Sequence, residues 1–203
     1  MSMFRNLLGN SKKEYTPLEY LNVNGNQYIE IRDLIPSNHK LELKFRTPTY
    51  QNDNHIFGAE YTGSYNDGAR YWSLTTYNSR YYWGNNGTEG NGGSWNSNIR
   101  TFIYNDFNNH EVKIDDTIIG SGTDISTQGH FLWFRRANRI SSYAYYGKFI
   151  GYFYYGKIWD RQTEELVAEF IPVVRNADGI RGLYDTVSKI FYRSESGIDF
   201  PTS

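Results

Sequence analysis

Apolar and charged residues alternate without a break in Leu41-Glu42-Leu43-Lys44-Phe45. Because successive side chains of a β-strand point to opposite faces of its sheet, this stretch predicts a strand with one buried and one solvent-facing side. His110-Glu111-Val112-Lys113-Ile114 has the same character. Two such strands favour an antiparallel sheet that a second layer covers on one face only.

The chain from Tyr15 onward is built from short runs of aromatic and β-branched residues, interrupted about every 8–12 residues by Gly, Asn, Asp, Ser or Pro. No long segment has the helical period of about 3.6 residues. The pattern predicts an all-β domain: a sandwich, a barrel or a jelly roll. Strands are predicted at Tyr20–Val23, Tyr28–Ile31, Lys40–Arg46, His55–Tyr61, Tyr71–Tyr77, Arg80–Trp83, Arg100–Tyr104, His110–Ile114, Thr117–Ile119, Phe131–Phe134, Lys148–Asp160, Leu166–Pro172 and Lys189–Arg193.

The composition is that of one globular domain. The 203 residues are only 38% hydrophobic, so the 19 Tyr, 12 Phe and 5 Trp must supply much of the core. The 21 basic and 22 acidic residues nearly cancel, which argues against a nucleic-acid groove. The absence of Cys excludes disulfides and thiolate chemistry. Neither a secretory signal nor a membrane-spanning apolar run is recognised, so we expect no signal-peptide export and no membrane insertion.

Residues 1–14 are predicted to form an N-terminal arm that precedes a domain spanning residues 15–203. Phe4, Leu7 and Leu8 have helical spacing, and a polar, basic run follows them. Such a segment makes at most one or two helical turns alone. It is either a frayed terminus or a peg that docks on a partner protein.

Residues 84–98 depart from the strand pattern, since five Gly and five Asn occur there and no aliphatic side chain does. We predict a long loop, which in compact domains usually carries a function or is disordered.

Motifs at both ends of the chain resemble the laminin-G-like, concanavalin A-like jelly-roll domains of tailed-phage virion proteins and gut bacterial surface proteins. The opening stretch Pro17–Glu30 is similar to the family's first signature, with Asn26 in place of the usual threonine. The far end is similar at Gly156-Lys157-Ile158-Trp159-Asp160, Leu166-Val167-Ala168-Glu169-Phe170-Ile171-Pro172-Val173, the turn Gly182-Leu183-Tyr184-Asp185 and the last strand Lys189-Ile190-Phe191-Tyr192.

The resemblance covers about residues 15–200 and implies a concanavalin-like antiparallel β-sandwich jelly roll, with the first and last strands paired as neighbours. It also implies display on a virion, or alternatively on a bacterial cell surface. Function follows less directly, because this fold hosts lectins, glycan hydrolases and structural coats.

Catalytic and metal motifs find little support in the sequence. The three-acid strand motif of concanavalin-type glucanases is absent, and the acids of Glu30–Asp33 and Asp160–Glu165 are interpreted as turn carboxylates. The four His are widely separated, with no zinc-type spacing. No catalytic residue, metal ligand or cofactor is therefore assigned. A lectin-type calcium site could draw on loop oxygens at Asp53-Asn54, Asp106, Asp115-Asp116 or Asp124, although ordinary turn chemistry also explains these residues.

Aromatic residues beside Asn and Gly are the best candidates for a binding site, because flat rings stack on sugars and amides bond to hydroxyls. A hairpin is predicted with its turn at Asn78-Ser79. Alternation leaves open whether Tyr81 and Trp83 or Tyr82 face inward. Trp95 either binds ligand or folds back on the sandwich edge. The candidate glycan-binding residues are Tyr71, Tyr77, Arg80, Trp83, Asn85, Asn86 and Trp95.

A second aromatic cluster comprises Tyr143–Tyr146 and Tyr152–Tyr155. In its longer strand Phe149, Gly151, Phe153 and Tyr155 alternate with Ile150, Tyr152 and Tyr154, so one set is predicted to be core.

These observations predict a non-catalytic virion surface protein with a lectin-like jelly roll that binds glycans of a host cell or mucus. The alternative is a purely structural capsid or tail decoration protein that docks on other virion proteins through Phe4, Leu7 and Leu8. A glycoside hydrolase would need the acid pair that the motifs lack.

Overall fold

The computed structural model describes residues 14–31, 38–60, 71–85, 88–107, 109–122, 131–138 and 144–202. These residues contain eighteen β-strands and no helix. Accordingly, no helix among them has the length and apolar character needed to cross a bilayer. The strands are β1 (Tyr15–Pro17), β2 (Leu21–Asn24), β3 (Ile29–Ile31), β4 (His39–Arg46), β5 (Asn54–Glu60), β6 (Tyr71–Tyr77), β7 (Arg80–Asn85), β8 (Thr88–Ser94), β9 (Ile99–Tyr104), β10 (Glu111–Ile114), β11 (Thr117–Ser121), β12 (Phe131–Trp133), β13 (Arg136–Asn138), β14 (Ala144–Tyr146), β15 (Ile150–Asp160), β16 (Leu166–Arg175), β17 (Arg181–Asp185) and β18 (Phe191–Tyr192).

Two antiparallel sheets pack as a sandwich, which confirms the predicted all-β class. The ten-stranded sheet runs β11-β10-β9-β4-β15-β16-β17-β18, with β1 on β16 and β2 on β15. The six-stranded sheet runs β3-β12-β5-β6-β7-β8. A separate ribbon pairs β13 with β14.

The N-terminal strands fill a wedge between β15 and β16. These two strands pair only between Trp159–Leu166, next to their connecting turn, and Gly156–Phe170, and they separate on the other side of Gly156 and Phe170. There β2 pairs with β15 at Ile150–Phe153, and β1 pairs with β16 at Val173–Arg175. The expected pairing of the first and last strands is therefore wrong, because β18 pairs with β17 instead.

The core lies between the two sheets and is rich in aromatic residues, as the composition predicts. Trp133 on β12 is fully buried, and its ring contacts Phe131, Phe153 and Phe170 at centroid distances of 4.7, 4.9 and 5.6 Å. Gly156 makes room for this indole, since a β-carbon there would lie 2.5 Å from Trp133 Cη2. The alternation in β4 is confirmed, because Leu41, Leu43 and Phe45 are buried while their charged neighbours are half-exposed.

Every predicted strand is present, with ends shifted by a few residues. The prediction of a loop over residues 84–98 is wrong, because β8 occupies Thr88–Ser94 and pairs with β7. Its hydrogen bonds come from the backbone, so a stretch without aliphatic side chains can still complete a sheet. The predicted turn at Gly182–Asp185 is likewise part of strand β17.

Candidate functional site

The β6–β7 hairpin has the turn that the sequence predicts. Tyr77 pairs with Arg80, which leaves Asn78 and Ser79 as the two turn residues. Both have positive φ, 46° and 58°, as a type I′ turn requires. This turn holds the two strands in the twist of the sheet and carries side chains at the sandwich end.

An aromatic pair lies on the solvent side of this hairpin. Tyr77 is 45% exposed and meets Tyr82 edge to face, with 6.1 Å between ring centroids. Arg80 is exposed beside them, opposite Tyr77 in the strand register. We name Tyr77, Asn78, Ser79, Arg80 and Tyr82 the turn surface.

Trp95 closes the end of the sandwich next to the turn surface. Its backbone N–H donates to the Ser79 carbonyl at 2.9 Å, and its indole Nε1–H donates to Thr47 Oγ1 at 2.7 Å. The ring is partly buried against the core and meets Tyr50 edge to face at 5.6 Å. These contacts agree with the folded-back interpretation, in which the indole N–H already has a partner within the protein.

The location of Trp83 corrects its assignment to a ligand-binding set. Its side chain is only 3% exposed and belongs to the core between the sheets. Gly90 and Gly120 lie against the indole so closely that a β-carbon at either position would collide with it. A ring enclosed in this way has no face to offer a surface ligand.

Tyr81 is a buried residue of β7 that holds part of the site in place. The sequence pattern did not identify it as a site residue. It is fully buried, and its hydroxyl donates to the Asn96 carbonyl at 3.0 Å and lies 3.3 Å from Thr47 Oγ1. Burial raises the pKa of this phenol. Tyr81 therefore positions the segment that follows Trp95. Alternation alone could not reveal this, because both faces of β7 carry aromatic residues.

The other predicted site residues are dispersed. Tyr71 begins β6 and Asn85 ends β7, at the end of the hairpin away from the turn. Asn86 lies outside the described residues, as do the arm residues Phe4, Leu7 and Leu8. The structure thus brings together Tyr77, Arg80 and the backbone of Trp95.

Several of the acidic groups named as calcium or catalytic candidates have partners within the protein, while Asp33 and Asp124 lie outside the described residues. Asp106 pairs with Lys113 at 2.7 Å, and Asp115 pairs with Arg100 at 3.0 Å. Asn54 bonds through both amide atoms to the backbone of Ile150. Asp160 Oδ1 accepts from the backbone N–H groups of residues 162 and 163, as a turn carboxylate does.

In the part of the chain that the structure describes, no group of three or more His, Cys, Asp or Glu could hold a metal ion. In comparisons with known proteins, no family model and no curated protein matches this chain.

Proposed function

We propose that this protein is a non-catalytic virion surface module with a concanavalin-like jelly roll that binds glycans of a host cell or mucus through its turn surface. The observation that carries the proposal is the pair formed by exposed Tyr77 and half-exposed Tyr82, beside Arg80 on the β6–β7 hairpin. The two-sheet antiparallel architecture is compatible with such a jelly roll. The virion context rests on the resemblance of the terminal motifs.

The chemistry of the turn surface suits a sugar ring. Tyr77 offers a flat apolar face for the C–H groups of a pyranose, and a tyrosine loses little conformational freedom on binding. The Arg80 guanidinium and the Asn78 amide supply hydrogen-bond donors for hydroxyls. Such a shallow site predicts weak binding, with a Kd of about 1 mM for one site, which many copies on one particle would convert to useful avidity.

A glycan array with multivalently displayed protein tests the proposal. We expect at least one glycan to bind, and we expect the Tyr77→Ala/Tyr82→Ala variant to lose that signal because the stacking platform is gone. Ile118→Ala is the matched control, since it truncates a 57% exposed apolar side chain on β11. Thermal melting shows that each variant is folded.

Two results would contradict a glycan function for the turn surface: no hit at protein concentrations that detect millimolar binding, or hits that the double variant retains. The first would favour the second candidate function, a structural decoration protein. The internal use of Trp83 and Trp95, whose rings pack the core and close the sandwich end, favours that alternative.

A further inference from the structure

A second aromatic surface lies on the outer face of the ten-stranded sheet. Arg46 on β4 is paired with Tyr152 on β15. Lys44, two residues earlier on β4, is paired with Tyr155. An extra residue in β15 at this point places Tyr154 beside them. Tyr20, just before β2, completes the group. We name Tyr20, Lys44, Arg46, Tyr152 and Tyr154 the tyrosine–cation patch.

The rings and cations of the patch contact one another. Tyr20 meets Tyr152 and Tyr154 edge to face, at centroid distances of 4.8 and 5.9 Å. The Arg46 guanidinium lies 5.8 Å from the Tyr152 ring and Lys44 Nζ lies 5.9 Å from the Tyr154 ring. All five side chains are half-exposed. The patch is therefore a packed, accessible platform of planar rings flanked by positive charge.

Lys44 and Arg46 differ in their ion pairing from three other cations on this sheet face. Lys40, Lys113 and Lys157 each have a carboxylate oxygen within 4 Å, at 3.9, 2.7 and 3.1 Å. Among the described residues, no carboxylate lies within that distance of Lys44 or Arg46.

Arg46 has hydrogen-bonding capacity left for a ligand. It uses Nε to donate to the Ser97 carbonyl at 2.9 Å, and its terminal nitrogens donate to no other described residue. Burial is the main cause that raises the pKa of Tyr154. The neighbouring Arg46 lowers this pKa, and the exposed carboxylate of Glu19 raises it. Glu42, two residues from Lys44 on β4, is a second carboxylate nearby; it accepts from the Tyr155 hydroxyl and lies 3.9 Å from Lys40. The two cations and the rings thus face solvent, with Glu19 and Glu42 as neighbouring negative charges.

We propose that the tyrosine–cation patch binds an acidic sugar residue, with the carboxylate or sulfate on Arg46 and Lys44 and the pyranose ring against the tyrosines. A guanidinium with free terminal nitrogens matches the two oxygens of a carboxylate or sulfate. The inference goes beyond the proposed function, because it concerns a separate surface and does not require the turn surface to bind anything.

The test is a titration of the full chain, followed by NMR or calorimetry, with three trisaccharides of equal length: a uronate, a sulfated sugar and a neutral sugar. We expect the wild-type protein to prefer at least one acidic trisaccharide over the neutral one, and the preference to shrink with added salt. Comparing the uronate with the sulfated sugar shows which anion the patch prefers.

Variants assign the binding to the patch. We expect Lys44→Gln/Arg46→Gln to bind the acidic trisaccharide about tenfold more weakly, because two partly exposed charge contacts with the ligand are lost. The matched control Lys40→Gln/Lys157→Gln removes the same charge from the same sheet face and should change the affinity by no more than about twofold. Glu19→Gln removes one neighbouring negative charge and should strengthen binding.

The proposal is overturned if the test pair binds as well as the wild type, or if the control pair loses as much affinity as the test pair. It is also overturned if Tyr77→Ala/Tyr82→Ala alone abolishes binding of the acidic sugar, since that result would locate the binding at the turn surface. Conversely, loss in Lys44→Gln/Arg46→Gln with no glycan bound at the turn surface would support the patch and contradict the proposed function.

Discussion

At the scale of single residues, Trp83 shows how glycines can determine where a large side chain goes. The indole is enclosed because Gly90 on β8 and Gly120 on β11 present no β-carbon to it. The same glycines allow β8 and β11 to approach each other where the two sheets meet. Glycine in β8 is therefore a packing requirement as well as a source of backbone freedom.

Gly120→Ala should destabilise the fold by about 1–3 kcal/mol, because the new methyl group collides with the Trp83 ring in a closely packed core. Urea unfolding monitored by tryptophan fluorescence measures the change. The double variant Gly120→Ala/Trp83→Phe is the control, because a smaller ring leaves room for the methyl group. The explanation is contradicted if Gly120→Ala costs the same in the Trp83→Phe background as in the wild type.

Asp185 shows a buried carboxylate used for structure. It is fully buried, and its Oδ1 accepts from the N–H groups of Glu169 and Val187, both at 3.0 Å, while Oδ2 accepts from Ser188 Oγ at 2.6 Å. These bonds tie the β17–β18 turn to β16. These hydrogen bonds give the aspartate of the Gly182–Asp185 motif a structural role that does not depend on any ligand.

At the scale of elements, β15 shows why strict alternation fails within one strand. Phe149, Gly151 and Phe153 are buried as one face of the alternating pattern, which the sequence predicts. The bulge after Phe153 then shifts the register against β4, so Tyr155 faces outward and its hydroxyl donates to Glu42 at 2.9 Å. A bulge is set by the partner strand, so the sequence of β15 alone could not indicate it.

The β6–β7 turn offers a stability prediction at the same scale. Ser79 holds a left-handed backbone conformation with φ 58°, which costs a non-glycine residue about 1–2 kcal/mol. Ser79→Gly should therefore stabilise the protein by about 1 kcal/mol, measured as an increase in the urea midpoint. The turn surface keeps its side chains, so any glycan signal should persist.

Ser79→Ala is the matched control, because it removes the hydroxyl and keeps the β-carbon. It should leave stability nearly unchanged. Equal effects of the Gly and Ala variants would mean that backbone strain at this turn is not the cause.

At the scale of the whole molecule, burial of tyrosine links stability to alkaline pH. Burial is the largest cause that raises the pKa of Tyr81 and of Tyr155 above the ordinary value of 10.0, and the nearby Glu42 adds to the effect on Tyr155. The unfolded chain then releases these protons at lower pH than the folded one. Stability is fully present below about pH 10 and falls as pH rises further.

We expect the free energy of unfolding to decrease steadily from pH 9.5 to pH 11.5, about 0.5 unit below and 1.5 units above the ordinary phenol value. Tyr155→Phe should reduce the slope, since one shifted phenol is gone. Tyr77→Phe is the control, because Tyr77 is exposed at 45%. An unchanged slope for Tyr155→Phe, or an equal reduction in both variants, would contradict this assignment.

The sequence by itself determined the elements that local periodicity controls. It predicted the all-β class, the buried face of β4 and the Asn78–Ser79 turn, because the two-residue period of a strand and the backbone demands of a turn act between near neighbours. Of the candidate site, it identified Tyr77 and Arg80, which lie next to that turn.

Only the tertiary structure decided which aromatic residues are free to meet a ligand. Trp83 is core because glycines from β8 and β11 enclose it, and Trp95 is engaged because Thr47 accepts its indole N–H. The strand β8 exists because β7 supplies its backbone partners, and the wedge of β1 and β2 exists because β15 and β16 diverge. Each of these outcomes depends on contacts between residues far apart in the chain, which a local pattern does not encode.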